Sequence, residues 1–220
     1  MSVYLLGKEP FFPDPNEAEP DGLLAIGGDF SPQRLLNAYA SGIFPWFEEE
    51  EEIYWFSPDP RMVLFTEKLK VSPSLSRTIR QGRFEVRFDH DFRGVMEQCA
   101  KVQRREDPGT WISDRFIEGY SKLHSMGFAH SAESYVNGRL AGGLYGVSIG
   151  RAFFGESMFY LEPDASKVAF VALVERLKRQ NVRFIDCQVD TEHLRRFGAL
   201  MISRAAYLDL LAGALKEQDG

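Results

Sequence analysis

The rhythm of hydrophobic and polar positions changes near residue 62. Before it, turn formers are dense, from Pro10, Pro13, Pro15 and Pro20 through Gly27 and Gly28 to Pro58 and Pro60, and they leave room for one short helix. Ser31 stands at its cap, Pro32 at its first position, and Leu35, Leu36 and Tyr39 form its apolar face before Gly42 ends it. After residue 62, strand-like and helix-like patterns alternate. Period-two runs predict strands at 62–65, 84–88, 129–136, 140–149, 152–159 and 183–189, and Asn137-Gly138 predicts a tight hairpin between the third and fourth. Period-3.6 runs predict helices at 74–80, 92–102, 114–125, 165–180, 191–197 and 207–215. The expected fold class is α+β, a mixed α/β arrangement with an antiparallel middle, divided into a small turn-rich unit at 1–62 and a larger one at 63–220.

Composition sharpens this picture by exclusion. The 220 residues are 44% hydrophobic, 13% aromatic and 26% charged, which excludes disorder, collagen-like repeats and a coiled coil. Two cysteines, Cys99 and Cys187, stand far apart with no ligand spacing, so neither a disulfide framework nor a structural zinc is suggested, and a reducing, cytoplasmic setting is expected. No run approaches the roughly 18 apolar residues of a membrane span, and the first residues lack a signal-peptide pattern. The expectation is a soluble, untargeted chain.

The net charge of −6 conceals an uneven distribution. Residues 1–62 carry 3 basic and 12 acidic residues, five of them the glutamates at 48–52, whereas 68–105 carry 10 basic and 4 acidic. An acidic front followed by a basic middle fits a local polyanion footprint, although a pair of solvated faces is the simpler reading of such charge runs.

Candidate chemistry is sparse. His90, His124, His130 and His193 form no metal-binding pattern, so a structural role is the simpler reading for each. Ser157 lacks the closing glycine of a nucleophile elbow, because Phe159 stands there. Within Ile185-Asp186-Cys187-Gln188, an uninterrupted strand would put Asp186 and Gln188 on one face and Cys187 on the other. A carboxylate in so apolar a strand is either a hydrogen-bond anchor or part of a site, and Glu156 in an aromatic strand raises the same question. The element order also suits an acyltransferase fold. A coenzyme A diphosphate would nevertheless be repelled at the helix from Ala165, whose entrance Leu161-Glu162-Pro163-Asp164 has no glycine and two negative charges.

Several stretches carry a resemblance: GLLAIGGDFSPQRLLNAYASGIFPW (22–46), WFSPDPRMVL (55–64), GTWI (109–112), AHSAE (129–133), GGLYGV (142–147), GESMF (155–159), ASK (165–167) and IDCQ (185–188). In this order and spacing the chain resembles the bacterial leucyl/phenylalanyl-tRNA–protein transferases, departing at the acidic run 48–52 and at Phe56, where a second Trp is expected. The resemblance implies a small N-terminal domain and an acetyltransferase-like C-terminal domain. It also implies transfer of Leu, Phe or Met from aminoacyl-tRNA to proteins with N-terminal Arg or Lys, which marks them for degradation. Aminoacyl-tRNA would be the co-substrate, with no other cofactor, no metal and no membrane, and a monomer is expected.

By the same resemblance, Asp186 acts through Gln188 on the α-amine, and Glu156, with Asp186 sharing the charge, holds the acceptor N-terminus. Trp46 and Trp111, with Phe153 and Tyr120 as lesser members, are expected to hold the aminoacyl and adenosine groups. Arg77, Arg80, Arg83, Arg87, Arg104 and Arg105 are expected to touch tRNA phosphates. Two other readings are a tRNA-dependent transferase with a different acceptor and a catalytically silent tRNA-binding adaptor.

Overall fold

The computed structural model describes residues 3–49, 52–101 and 112–216. The first part forms a four-stranded sheet of β1 (Tyr4–Leu6), β2 (Leu23–Gly27), β3 (Phe44–Glu49) and β4 (Glu52–Phe56), in the order β1-β2-β4-β3, with helix α1 (Pro32–Ala40) between β2 and β3. None of these short strands shows in the hydrophobic pattern, because the prolines and glycines around them break the alternation. Ser31 does stand at the cap of α1, but its hydroxyl makes no capping bond; its backbone N–H instead donates to Asp29 Oδ1 at 2.8 Å. Part of the acidic run is strand: Glu49 pairs with Glu52 across β3 and β4, and residues 50 and 51 lie outside the described residues.

The second part is β5 (Arg61–Phe65), α2 (Pro73–Arg80), β6 (Glu85–Phe88), α3 (Phe92–Lys101), α4 (Asp114–Ser125), β7 (Ala129–Val136), β8 (Arg139–Ile149), β9 (Ala152–Tyr160), α5 (Ala165–Arg179), β10 (Phe184–Gln188), α6 (Glu192–Arg196), β11 (Leu200–Ile202) and α7 (Arg204–Lys216). The strands make one seven-stranded sheet in the order β11-β5-β10-β9-β8-β7-β6. All its neighbours are antiparallel except β9 and β10, which α5 connects. This is the mixed, largely antiparallel sheet expected from the sequence. The hairpin at Asn137-Gly138 forms with both residues at positive φ, 50° and 74°, as a two-residue primed turn requires.

Strand alternation divides the apolar side chains between two layers. Leu144 and Phe153 join Val168, Phe170 and Val174 of α5 on one face. Their neighbours Tyr145 and Phe154 join Tyr39 of α1, Phe92 of α3, Phe116 and Tyr120 of α4 and Tyr207 of α7 on the other. Each such buried aromatic contributes about 1.5–3 kcal/mol by removal from water. The second layer also takes Phe44 and Trp55 from the small sheet, so one continuous core spans both sheets.

What positions the site is a fork. β10 pairs with β9 only where Phe184–Asp186 lies beside Ala152–Phe154. Beyond that point β9 continues along β8 to Tyr160, β10 ends at Gln188, and a cleft opens between them.

Candidate active site

Each arm of the fork carries an irregularity. Along β8 and β9 the register shifts between the pairs Tyr145–Ser157 and Gly146–Gly155, which makes Glu156 the extra residue of a bulge. Gly146 permits this close approach: a Cβ there would lie 2.2 Å from the Phe154 carbonyl oxygen. Along β10 and β5 the register shifts between Asp186 and Gln188, which makes Cys187 the extra residue, and Gln188 adopts a φ of 63°. Bulges turn side chains out of the regular alternation. Here they bring Glu156 and Gln188 together, with Gln188 Nε2 donating to Glu156 Oε1 at 2.8 Å.

Glu156 is held from behind as well. Tyr120 Oη donates to Glu156 Oε2 at 3.2 Å, and the Tyr120 hydroxyl is itself bonded to that of Tyr39; both tyrosines are fully buried. Desolvation pushes the Glu156 carboxyl up to about 7, opposed by the hydrogen bonds of Tyr39, Tyr120 and Gln188 and assisted by the nearby charge of Asp186. A carboxyl poised near neutrality can take up or release a proton at physiological pH.

Asp186 stands differently from the expectation that it shares a face with Gln188. Its carboxylate is completely buried and receives Arg61 Nε at 2.9 Å, Arg61 Nη2 at 2.7 Å, Tyr207 Oη at 2.7 Å and the backbone N–H of Gln188 at 2.9 Å. The bulge at Cys187 breaks the two-residue period, so Ile185, Cys187 and Gln188 line the cleft and Asp186 does not. Arg61, also fully buried, lies between the rings of Phe44 and Tyr207, 4.6 Å from each centroid, where cation–π attraction offsets part of its desolvation. Asp186 therefore ties β3, β5, β10 and α7 together and fixes the backbone from which Gln188 projects. Burial pushes the Cys187 thiol far up, so it is no thiolate nucleophile.

The cleft has a volume of about 750 Å³ and is lined on its apolar side by Trp46, Leu144, Met158, Phe170 and Ile185, with Glu156 and Gln188 among its polar groups. Such a volume and lining suit a small molecule or the end of a larger one. Trp46, packed edge-on against Phe56 at 5.2 Å, lines the cleft. Tyr120 reaches it only through Glu156. Phe153 is core packing between the sheet and α5, with 1% of its surface exposed, and does not line the cleft. Trp111, Arg104 and Arg105 lie outside the described residues. Arg77 and Arg80 lie on exposed α2, Arg83 pairs with Glu162, and Arg87 bonds Glu85 and covers the Tyr135 ring at 4.6 Å.

Three histidines have structural partners as expected: His90 beside Arg87, His124 on the Ala129 carbonyl, and His130 between Asp89 and the Gly127 carbonyl. His193 instead lines the cleft. Sequence reasoning also missed Arg61, Tyr39 and Tyr207. An arginine opening the apolar strand Arg61–Phe65 is the one local signal that a buried anion must lie nearby. Among the described residues, no three His, Cys, Asp or Glu side chains cluster as a metal site would require, and no helix is long and apolar enough to cross a membrane.

A family model described as leucyl/phenylalanyl-tRNA protein transferase matches residues 63–212, and one for the N-terminal domain of the same family matches 28–59. Relatives named leucyl/phenylalanyl-tRNA–protein transferase include one from Anaeromyxobacter sp. (strain Fw109-5), 60% identical over 98% of this chain and 92% of its own length. Others come from Solidesulfovibrio magneticus, 55% identical over 99% of this chain and 88% of that one, and Myxococcus xanthus, 53% over 99% and 94%. A solved structure from Enterococcus faecalis V583, titled a probable N-acyltransferase, superposes with a TM-score of 0.42 at 15% identity, covering 82% of this chain and 43% of that one.

Proposed function

Since the chain belongs to the leucyl/phenylalanyl-tRNA–protein transferases, we propose that the cleft at the β9–β10 fork is where leucine or phenylalanine passes from tRNA to the α-amino group of an acceptor protein. The protein is an aminoacyltransferase. The observation that carries the assignment of the site is the convergence of Glu156 and Gln188, each on a bulge, beside an apolar wall.

The chemistry asks little of the protein. The donor is an activated ester, and an α-amino group with a pKa of about 8 is partly nucleophilic at neutral pH. The amine nitrogen bonds to the ester carbonyl carbon, the bond from that carbon to the ribose oxygen breaks, and a proton reaches the departing oxygen. Leu144, Met158 and Phe170 form a wall for the aminoacyl side chain; its apolar character suits Leu, Phe and Met. Glu156 receives the cationic amine and takes its proton, which the group's position near neutrality permits. With its Nε2 committed to Glu156, Gln188 offers its carboxamide oxygen to a remaining amine hydrogen. Asp186 acts on Gln188 through the backbone N–H and is a positioning residue, since its own oxygens are already occupied.

The acceptor is a protein with N-terminal Arg or Lys, destined for degradation in the cytoplasm. The enzyme works as a monomer, with aminoacyl-tRNA as co-substrate and no metal or further cofactor. Radiolabelled Leu-tRNA incubated with two peptides differing only in N-terminal Arg or Ala tests this reading. Label on the Arg peptide alone is the expected result, and equal labelling of both, or of neither, would overturn it.

A further inference from the structure

The cleft has a rim that neither the transfer chemistry nor the apolar wall uses. Lys167 in the first turn of α5, and His193 and Arg196 on α6, all line it. These residues come from separate stretches of sequence and meet only in the fold. They also sense one another: burial lowers the pKa of His193, and the charges of Lys167 and Arg196 lower it further. His193 Nε2 is buried and finds no hydrogen-bond partner among the described residues. An unpartnered ring nitrogen on a residue that lines the cleft together with two cations suits an acceptor-rich, anionic visitor.

We propose that Lys167, His193 and Arg196 hold the phosphate on the 5′ side of the tRNA's terminal nucleoside, fixing the donor ester over Glu156 and Gln188. The proposal rests on the aminoacyl-tRNA reading above. An ester on the terminal ribose carries that phosphate one sugar away, so when the ester is at the fork the phosphate must lie at the edge of the same cleft.

Two ion pairs stand in the way, and both are weak. Lys167 Nζ lies 2.7 Å from Asp164 and Arg196 pairs with Glu192, but all four side chains are about a third or more exposed, at 43%, 32%, 74% and 80%. Such pairs contribute about 0–1 kcal/mol, so exchanging a carboxylate for a phosphate costs little. The rim is also continuous with the basic surface. α2, which carries Arg77 and Arg80, packs on α5, and Arg83 just beyond it pairs with Glu162 in the loop leading to Lys167. A polyanion lying along α2 is thereby led to the mouth of the cleft.

Two small donors that differ by one group provide the test: leucyl-adenosine, and leucyl-adenosine bearing a 5′-phosphate. The wild type should prefer the phosphorylated donor in kcat/KM by about tenfold, and Lys167→Ala and Arg196→Ala should each reduce that preference severalfold, to near unity in the double variant. Arg196 is exposed, so its variant guards against a folding artefact, and His193→Gln tests the orphaned nitrogen in the same way. No wild-type preference, or a preference that survives the double variant, would overturn the proposal. So would a rise in KM for the acceptor peptide with donor preference intact, which would assign the rim to the acceptor. Failure of the wild type to transfer from intact Leu-tRNA would instead sink the underlying reading, and that control separates the two.

Discussion

Asp186 holds Gln188 by its main chain: the carboxylate accepts the Gln188 N–H at 2.9 Å, and Gln188 sits at a φ of 63° with its side chain on Glu156. The same carboxylate neutralises Arg61, which is fully buried. Asp186→Asn leaves that guanidinium uncompensated, so a loss of about 3–5 kcal/mol is expected in urea unfolding, as for other broken buried pairs. A variant as stable as the wild type would show that Asp186 is no anchor.

The position of Glu156 sets a pH dependence of both stability and rate. Its carboxyl titrates near 7 in the fold against an ordinary 4.5, so the protonated form is favoured on folding. That contribution is complete below pH 4.5 and disappears as pH rises through 7, a difference of about 3 kcal/mol. Glu156→Gln should remove this slope from unfolding curves measured between pH 4.5 and 7.5. For activity, ionised Glu156 is the competent form, giving an acid limb near 7. Because the Tyr120 hydroxyl stabilises the ionised form, Tyr120→Phe should move the limb to higher pH. A limb that stays in place would separate Glu156 from the rate.

How much of this is legible in the sequence depends on how far the pattern of side chains follows regular geometry. The helices and longer strands beyond residue 62 read correctly because Val168, Phe170 and Val174, or Leu144 and its neighbours, keep one period over many residues. The strands before β5 are three to six residues long, too short to establish a period, and Pro45 interrupts β3. The site shows the same limit more sharply. Strict alternation puts Asp186 beside Gln188, and a single extra residue, Cys187, undoes it. The rim of Lys167, His193 and Arg196 has no local signature, because its residues lie on two helices that are separate in the sequence.

Basic α2 should carry the tRNA body. Arg77 and Arg80 form no ion pair among the described residues, unlike Arg83 and Arg87, and are the freest to meet phosphates. Reversing both to Glu should weaken tRNA binding and flatten its dependence on log salt by about one per charge. Transfer from leucyl-adenosine should suffer far less; equal losses with both donors would contradict this placement.

Donor choice should respond to the apolar wall. Phe170 faces the cleft from α5, and Phe170→Leu enlarges the space beside Met158. Since one methylene is worth about 1–3 kcal/mol in such a pocket, the ratio of Phe to Leu transfer should rise roughly tenfold or more. An unchanged ratio in competition between Phe-tRNA and Leu-tRNA would place the side chain elsewhere.

The central claim, that the Gln188 side chain at the fork takes part in transfer, is tested most directly by Gln188→Gly. Glycine accepts a φ of 63° without strain, so the fold should persist with stability within about 1 kcal/mol of wild type. Measured by labelled leucine reaching an N-terminal Arg peptide, kcat should nonetheless fall by about 100-fold, the scale of losing an orienting contact. A folded Gln188→Gly enzyme that transfers leucine at the wild-type rate would contradict the account.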